Sequence, residues 1–436
     1  MAIARDDIPT KRAPTTRRFH GWRVVAGAFV LAIFGWGVGF YGPPVFLHQV
    51  RAAQGWSLPL ASSAVTVHFL VGTIVVANLP ALYRRFGLPA VTKAGAIALA
   101  LGVCGWAVAA QPWQLFLATL FSGAGWVAMG AAAVNAIIAP WFSRRRPAAL
   151  AMAYNGASIG GVVFSPLWVA AIGWLGFAAA AAAIGLVMAI TIWILADRLF
   201  AKTPQQLGLT SDGDEPGAAP TVTTAPAAVP LSGRALWRDR RFVTLAAGMA
   251  AGLFAQIGLI AHLFSLLVPA LGAEAAGLAM GLATAMAIAG RSLVGWLMPA
   301  GADRRLVAAA SYGVQIAGSL LFILAAGQSI PLLLLGIVLF GAGIGNATSL
   351  PPLIAQAEFA REDVARAIAL IVAIAQAAYA FAPAIFGALR PVPLTPAAPG
   401  EAPVFFIAAA LVQAIAIGCL IAGRRRRLYE PAIMSP

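Results

Sequence analysis

Arg291 stands by itself in a helix-length apolar run, Met280-Gly-Leu-Ala-Thr-Ala-Met-Ala-Ile-Ala-Gly-Arg291-Ser-Leu-Val-Gly-Trp-Leu297. An arginine facing hydrocarbon near mid-bilayer costs about 2.5–3.5 kcal/mol on insertion scales, so such a residue normally faces a watery cavity or a partner. No Asp or Glu falls in the central part of any apolar run of the chain, which leaves Arg291 without an obvious buried counter-ion. The chemistry this suggests is capture of a small organic anion by a charge-assisted, bidentate pair of hydrogen bonds. Its structural alternative is snorkelling, because Arg291 sits within roughly 9 Å of the end of its own helix.

Other polar groups share the apolar runs. His68 and His262 are the intramembrane side chains able to titrate near neutral pH, which makes them candidate proton carriers. Each has the alternative of a neutral ring satisfied by a carbonyl or hydroxyl. Tyr41, Asn135, Gln256, Asn346, Gln376 and Tyr379 are candidate substrate contacts, against the alternative of interhelical hydrogen bonding. Gly35, Gly37 and Gly39, like Gly341, Gly343 and Gly345, suit close helix packing better than a nucleotide loop, which would need a preceding strand. Cys104 and Cys419 give neither a disulfide framework nor a metal-ligand spacing. No nucleophile-base pair and no metal cluster is apparent, so neither an enzyme nor a cofactor is expected.

These residues must be positioned by membrane helices. A chain of 436 residues with 61% hydrophobic and 10% charged residues departs from ordinary soluble composition, in which about 25% is charged. Apolar runs of spanning length number twelve: 23–47, 58–80, 90–110, 113–139, 148–171, 174–196, 242–270, 275–297, 306–327, 330–356, 366–389 and 403–422. The expected organisation is an N-terminal tail over 1–22, a six-helix bundle over 23–197 and a flexible linker over 198–241. A second bundle over 242–422 and a C-terminal tail over 423–436 complete it. The first 20 residues lack an apolar signal core, so the first span is expected to direct insertion.

With the N-terminus in the cytoplasm, the 29 Lys and Arg residues divide as 26 inside, 2 outside (Arg51 and Arg390) and 1 in the membrane. That asymmetry predicts cytoplasmic termini and a cytoplasmic linker, and it explains the net charge of +15 without nucleic acid. The inside clusters include Arg84 with Arg85, Arg144 to Arg146, and Arg304 with Arg305, candidate gating contacts in the cytoplasmic loops. Arg424 to Arg427 read as a stop-transfer flank, with anionic lipid as the alternative partner.

The halves repeat one another. Leu120-Phe-Ser-Gly-Ala-Gly125 recurs as Leu339-Phe-Gly-Ala-Gly343, and Phe164-Ser-Pro166 recurs as Phe381-Ala-Pro383, an offset of about 217. Twelve spans in two parallel halves resemble the major facilitator superfamily, whose substrate sites lie near the midplane between the halves. Trp141-Phe-Ser-Arg-Arg-Arg-Pro-Ala-Ala-Leu-Ala-Met-Ala-Tyr-Asn-Gly-Ala-Ser-Ile-Gly160 resembles the monocarboxylate transporter signature, though Ala148, Ala151 and Asn155 depart from it. Gly21-Trp-Arg-Val-Val-Ala-Gly-Ala-Phe29 is similar to that family's first-helix opening. Arg291 with Gly295 matches the pattern in which the family's arginine holds the substrate carboxylate.

Three departures qualify the resemblance. Phe40 stands where animal members carry a lysine, and Ala287 where they carry an aspartate, so the family's usual proton relay is missing. The superfamily's loop motif is eroded at Arg84-Arg85-Phe86-Gly87 and at Gly295-Trp-Leu-Met-Pro299. Bacterial oxalate/formate antiporters are also similar, but their second cation in the eleventh helix is replaced by Gln376 and Tyr379. The expectation is an all-α, twelve-helix secondary transporter of small monocarboxylate anions in a bacterial inner membrane, acting as a monomer, with protons as a candidate coupling ion. Its rivals are an oxalate-like anion antiporter, a drug efflux transporter and a non-transporting membrane sensor.

Overall fold

The computed structural model describes residues 19–213, 233–299, 301–390 and 402–424. Eleven helices in it are long and apolar enough to cross a membrane: α1 His20–Gln54, α2 Leu58–Phe86, α3 Leu88–Val108, α4 Pro112–Ile138, α5 Ala148–Leu175, α6 Phe177–Phe200, Arg240–Leu297, α9 Arg304–Ala325, α10 Ile330–Glu358, α11 Arg366–Ala388 and α12 Pro403–Ala422. Arg240–Leu297 is 58 residues long, which at 1.5 Å per residue far exceeds a bilayer. It is two spans joined at Gly272, whose φ of 77° and ψ of 166° suit glycine and break the helix. With α7 as 240–271 and α8 as 273–297, the described residues hold twelve helices of spanning length. They form two six-helix bundles, α1–α6 and α7–α12.

Helix ends follow local chemistry. Ser57 caps α2 by accepting from the Leu60 amide at 3.4 Å, and Gly55 closes α1 in the left-handed region. Gly42-Pro43-Pro44 bends the first span. The helix breaks at Phe40–Tyr41 and restarts with the prolines in its first turn, where their missing N–H costs nothing, so α1 continues to Gln54. The linker differs from its flexible reading over 198–213. It leaves α6 through a π-turn, Ala196–Phe200, and folds back onto the α4–α5 connection.

Small residues allow the helices of each half to touch backbone to backbone. A side chain at Gly290 would strike the Ala342 carbonyl, and one at Gly345 the Ala287 carbonyl, so α8 and α10 are in direct contact there.

The halves meet along two antiparallel seams related by the internal repeat. In the α5–α8 seam, Gly277 packs on Val169 and Pro166, Gly281 on the Val162 carbonyl, Gly161 on Thr284, and Ser158 on Arg291. In the α2–α11 seam, Ser62 meets Gly387, Thr66 accepts from the Ala384 amide at 3.0 Å, and Phe69 meets Tyr379 edge-on. Both seams begin at the end of the molecule away from the termini, hereafter the far end. There a single apolar core runs through both halves. Toward the termini the second half has its own separate core, built on Phe242, Tyr312, Ile354 and Ile371. The molecule is therefore sealed at the far end and splays toward the termini.

Candidate functional site

Arg291 lies where the α5–α8 seam stops. Its Nη2 donates to the Ser158 hydroxyl of the opposite half at 3.1 Å, while its Nε is buried with no partner. None of the ion pairs among the described residues includes it. One side of the seam beyond it is filled: Tyr41 lies against Thr284 and Gly161 and is electrostatically coupled to Arg291. Farther along, Phe40, Pro43, Val65 and Phe69 face Ile257, Ile260 and Ala261 around a crevice with room for about one water. On the other side the helix runs free, with open space at Gly295 and Trp296 exposed. A half-buried guanidinium with its Nε–H free is suited to receive a carboxylate, which could take that Nε–H together with a second N–H.

The other polar candidates divide by place. Asn135 on α4 and Tyr154 on α5 are hydrogen-bonded to each other, and both donate to the Ala131 carbonyl, at 3.0 and 3.1 Å. Trp36 packs edge-on against Tyr154. In the second half, Gln256 Oε1, Asn346 Oδ1 and Gln376 Nε2 are each buried without a hydrogen-bond partner among the described residues. Asn346 follows Gly345, whose missing side chain lets α10 approach the Arg291 stem. Tyr379 packs against Phe69 across the α2–α11 seam. The structure thus brings Tyr41 and Arg291 together and places Asn135 in a separate cluster of the first half.

The two histidines differ in their bonding. His68 Nε2 lies 2.9 Å from the Gly39 carbonyl, so it carries the proton and donates, and the Ser122 hydroxyl donates to Nδ1 at 2.9 Å. That ring is satisfied as a neutral tautomer within the first half. His262 Nε2 donates to the Pro383 carbonyl at 2.9 Å, but its Nδ1 is buried and unpartnered.

Among the loop arginines, the closest contacts lie within the second half. Arg305, 2% exposed, makes a bidentate pair with Glu358 at 2.7 and 2.8 Å and donates to the Arg241 carbonyl and the Thr244 hydroxyl. It ties α9, α10 and α7 together. Arg304 donates to the Leu353 carbonyl at 2.5 Å. Arg84 and Arg85 end α2 and are exposed, with Arg85 over the Phe86 ring. Arg144 to Arg146 lead into α5 with all three side chains exposed, and their hairpin holds Asp212, which the sequence reading took as part of the flexible linker. Burial pushes the Asp212 pKa up, but the amides of Arg144, Arg145 and Ser143 donate to its carboxylate and hold it below the usual carboxylate range.

Sequence reasoning also missed Ser158 and Glu358. A serine in an apolar helix carries no signal of its own, and Glu358 could be recognised only through the depth of its arginine partner.

Comparison with known proteins agrees with this architecture. The profile described as Major Facilitator Superfamily matches residues 24–383. A curated relative, MFS transporter asaE of Aspergillus flavus, is 30% identical over 161 residues, and the chain spans only about a third of that protein's length (35%, and 35% of this chain). Among solved structures, the nucleoside transporter NupG superposes with a TM-score of 0.69 at 12% identity, covering 93% of this chain and 100% of that one. A bacterial homolog of the human lysosomal transporter Spinster, in an inward-facing and unoccupied conformation, gives 0.60 at 15% identity over 93% and 95%. At these identities the likeness is one of fold.

Proposed function

The chain belongs to the Major Facilitator Superfamily, and from that premise we propose that it is a secondary transporter of small monocarboxylate anions. The observation that carries this reading is Arg291, half-buried at the end of the seam between the halves with its Nε unpartnered and no ion pair among the described residues. A monoanion supplies the one missing charge, and the apolar walls near Tyr41 and Phe40 favour a short carbon chain. Because Arg291 belongs to one half and Ser158 to the other, an anion held there is sensed by both, which is what alternating access requires. In this reading both termini are cytoplasmic, the membrane is the bacterial inner membrane, and the splayed state described above opens to the cytoplasm.

The test is uptake of a panel of labelled acids by purified protein in liposomes. At least one short monocarboxylate should be taken up, with uptake falling at least tenfold in Arg291→Gln and recovering poorly in Arg291→Lys, whose ammonium lacks the planar fork. Equal uptake of every acid by parent and Arg291→Gln would leave snorkelling as the role of this residue. Uptake that requires an anion on the opposite side would assign the protein to exchange.

A further inference from the structure

The far-end seam closes over a group of basic side chains that the central site does not use. His48 of α1 sets its ring edge-on to Phe264 of α7, with centroids 5.3 Å apart. Arg51 lies three residues further along α1, on the same helix face. From the other half, Arg390 follows α11 and donates from Nη1 to the Ser265 hydroxyl at 2.6 Å, while Ser265 donates to the His262 carbonyl at 2.8 Å. Arg51 and Arg390 are electrostatic neighbours, and each acts on both His48 and His262. Arg51 Nε and His262 Nδ1 are buried without partners. No carboxylate pairs with either arginine among the described residues.

Closing this end therefore drives two guanidinium groups from opposite halves toward each other in a partly desolvated seam, where their repulsion is stronger than in water. The seam is nevertheless shut. We propose that a small anion, chloride or a free carboxylate, binds between Arg51 and Arg390 and latches the far-end gate. Such an anion replaces a repulsion with two attractions, one to each half, so it stabilises the closed seam and has no equivalent site when the halves part. This latch is separate from the Arg291 site, which lies at the opposite limit of the seam. It rests on the alternating-access reading, but it is read out as a distance, independently of transport.

The experiment uses full-length protein in lipid nanodiscs, with Cys104 and Cys419 replaced and spin labels on cysteines placed at the exposed Gln54 and Ala275. Pulsed electron paramagnetic resonance then reports the width of the far-end mouth as chloride or acetate replaces a bulky sulfonate. In the parent, the short-distance population should rise several-fold. A response to both anions identifies a general latch, and a response to one alone identifies the source. Arg51→Gln combined with Arg390→Gln should stay at the short distance whichever anion is present. The proposal is overturned if the parent distances ignore both anions or if the double variant keeps the parent's response. A dependence that appears only in Glu401→Gln would likewise overturn it, by making that carboxylate the counter-charge.

Discussion

At His68 and His262 one side-chain chemistry has been put to two uses. His68 has both nitrogens occupied, so adding a proton would force the Ser122 hydroxyl to turn away from Nδ1. His262 keeps Nδ1 free, so a proton added there would break no existing bond, though it would meet the like charges of Arg51 and Arg390. If transport is proton-coupled, His262→Gln should therefore lose stimulation by an inward proton gradient while retaining exchange of internal for external substrate, which needs no net proton movement. His68→Gln should instead destabilise the fold by about 1–3 kcal/mol through orphaned buried groups. Flux and thermal unfolding of the two variants separate these roles, and stimulation that survives in the double variant removes both histidines as carriers. Arg291 was legible in the sequence because a charge among apolar residues demands a reason. Ser158 was not, because its meaning depends on which helix of the other half lies opposite.

Whole elements were legible where hydrophobicity or glycine dictates them. The spans, the break near Gly272 and the close packing at Gly341, Gly343 and Gly345 all follow from local composition. The linker was not legible as a folded strap, since Pro, Asp and Gly signal irregular backbone without saying whether it docks. Asp212 provides the docking, with a left-handed φ of 64° that turns its carboxylate onto three amides. Its pKa is depressed, so its contribution is complete above about pH 4, the unperturbed carboxylate value, and is lost as pH falls through the lower folded value. Asp212→Asn should loosen the strap by about 1–3 kcal/mol. Hydrogen exchange should show the amides of Ser143, Arg144 and Arg145 losing at least tenfold protection at neutral pH in that variant. Unchanged protection would mean that the backbone contacts at Trp141 and Pro140 hold the strap by themselves.

At the scale of the molecule, the internal repeat announced two related halves, and the structure adds that they touch through equivalent seams, α5 with α8 and α2 with α11. Which end those seams close could not be read from the sequence, because both ends of a transporter helix must be able to pack in turn. With the far end closed and the core divided toward the termini, the Arg291–Ser158 hydrogen bond joins the halves at the terminal side of the α5–α8 contacts. The central claim is that this arginine holds the transported anion. The most direct measurement is equilibrium binding, to purified protein, of the acid transported best by the parent. Saturable binding in the parent should fall at least tenfold in affinity in Arg291→Gln, while the variant unfolds at the parent's temperature. Binding of equal affinity in that variant would place the anion elsewhere and contradict the account.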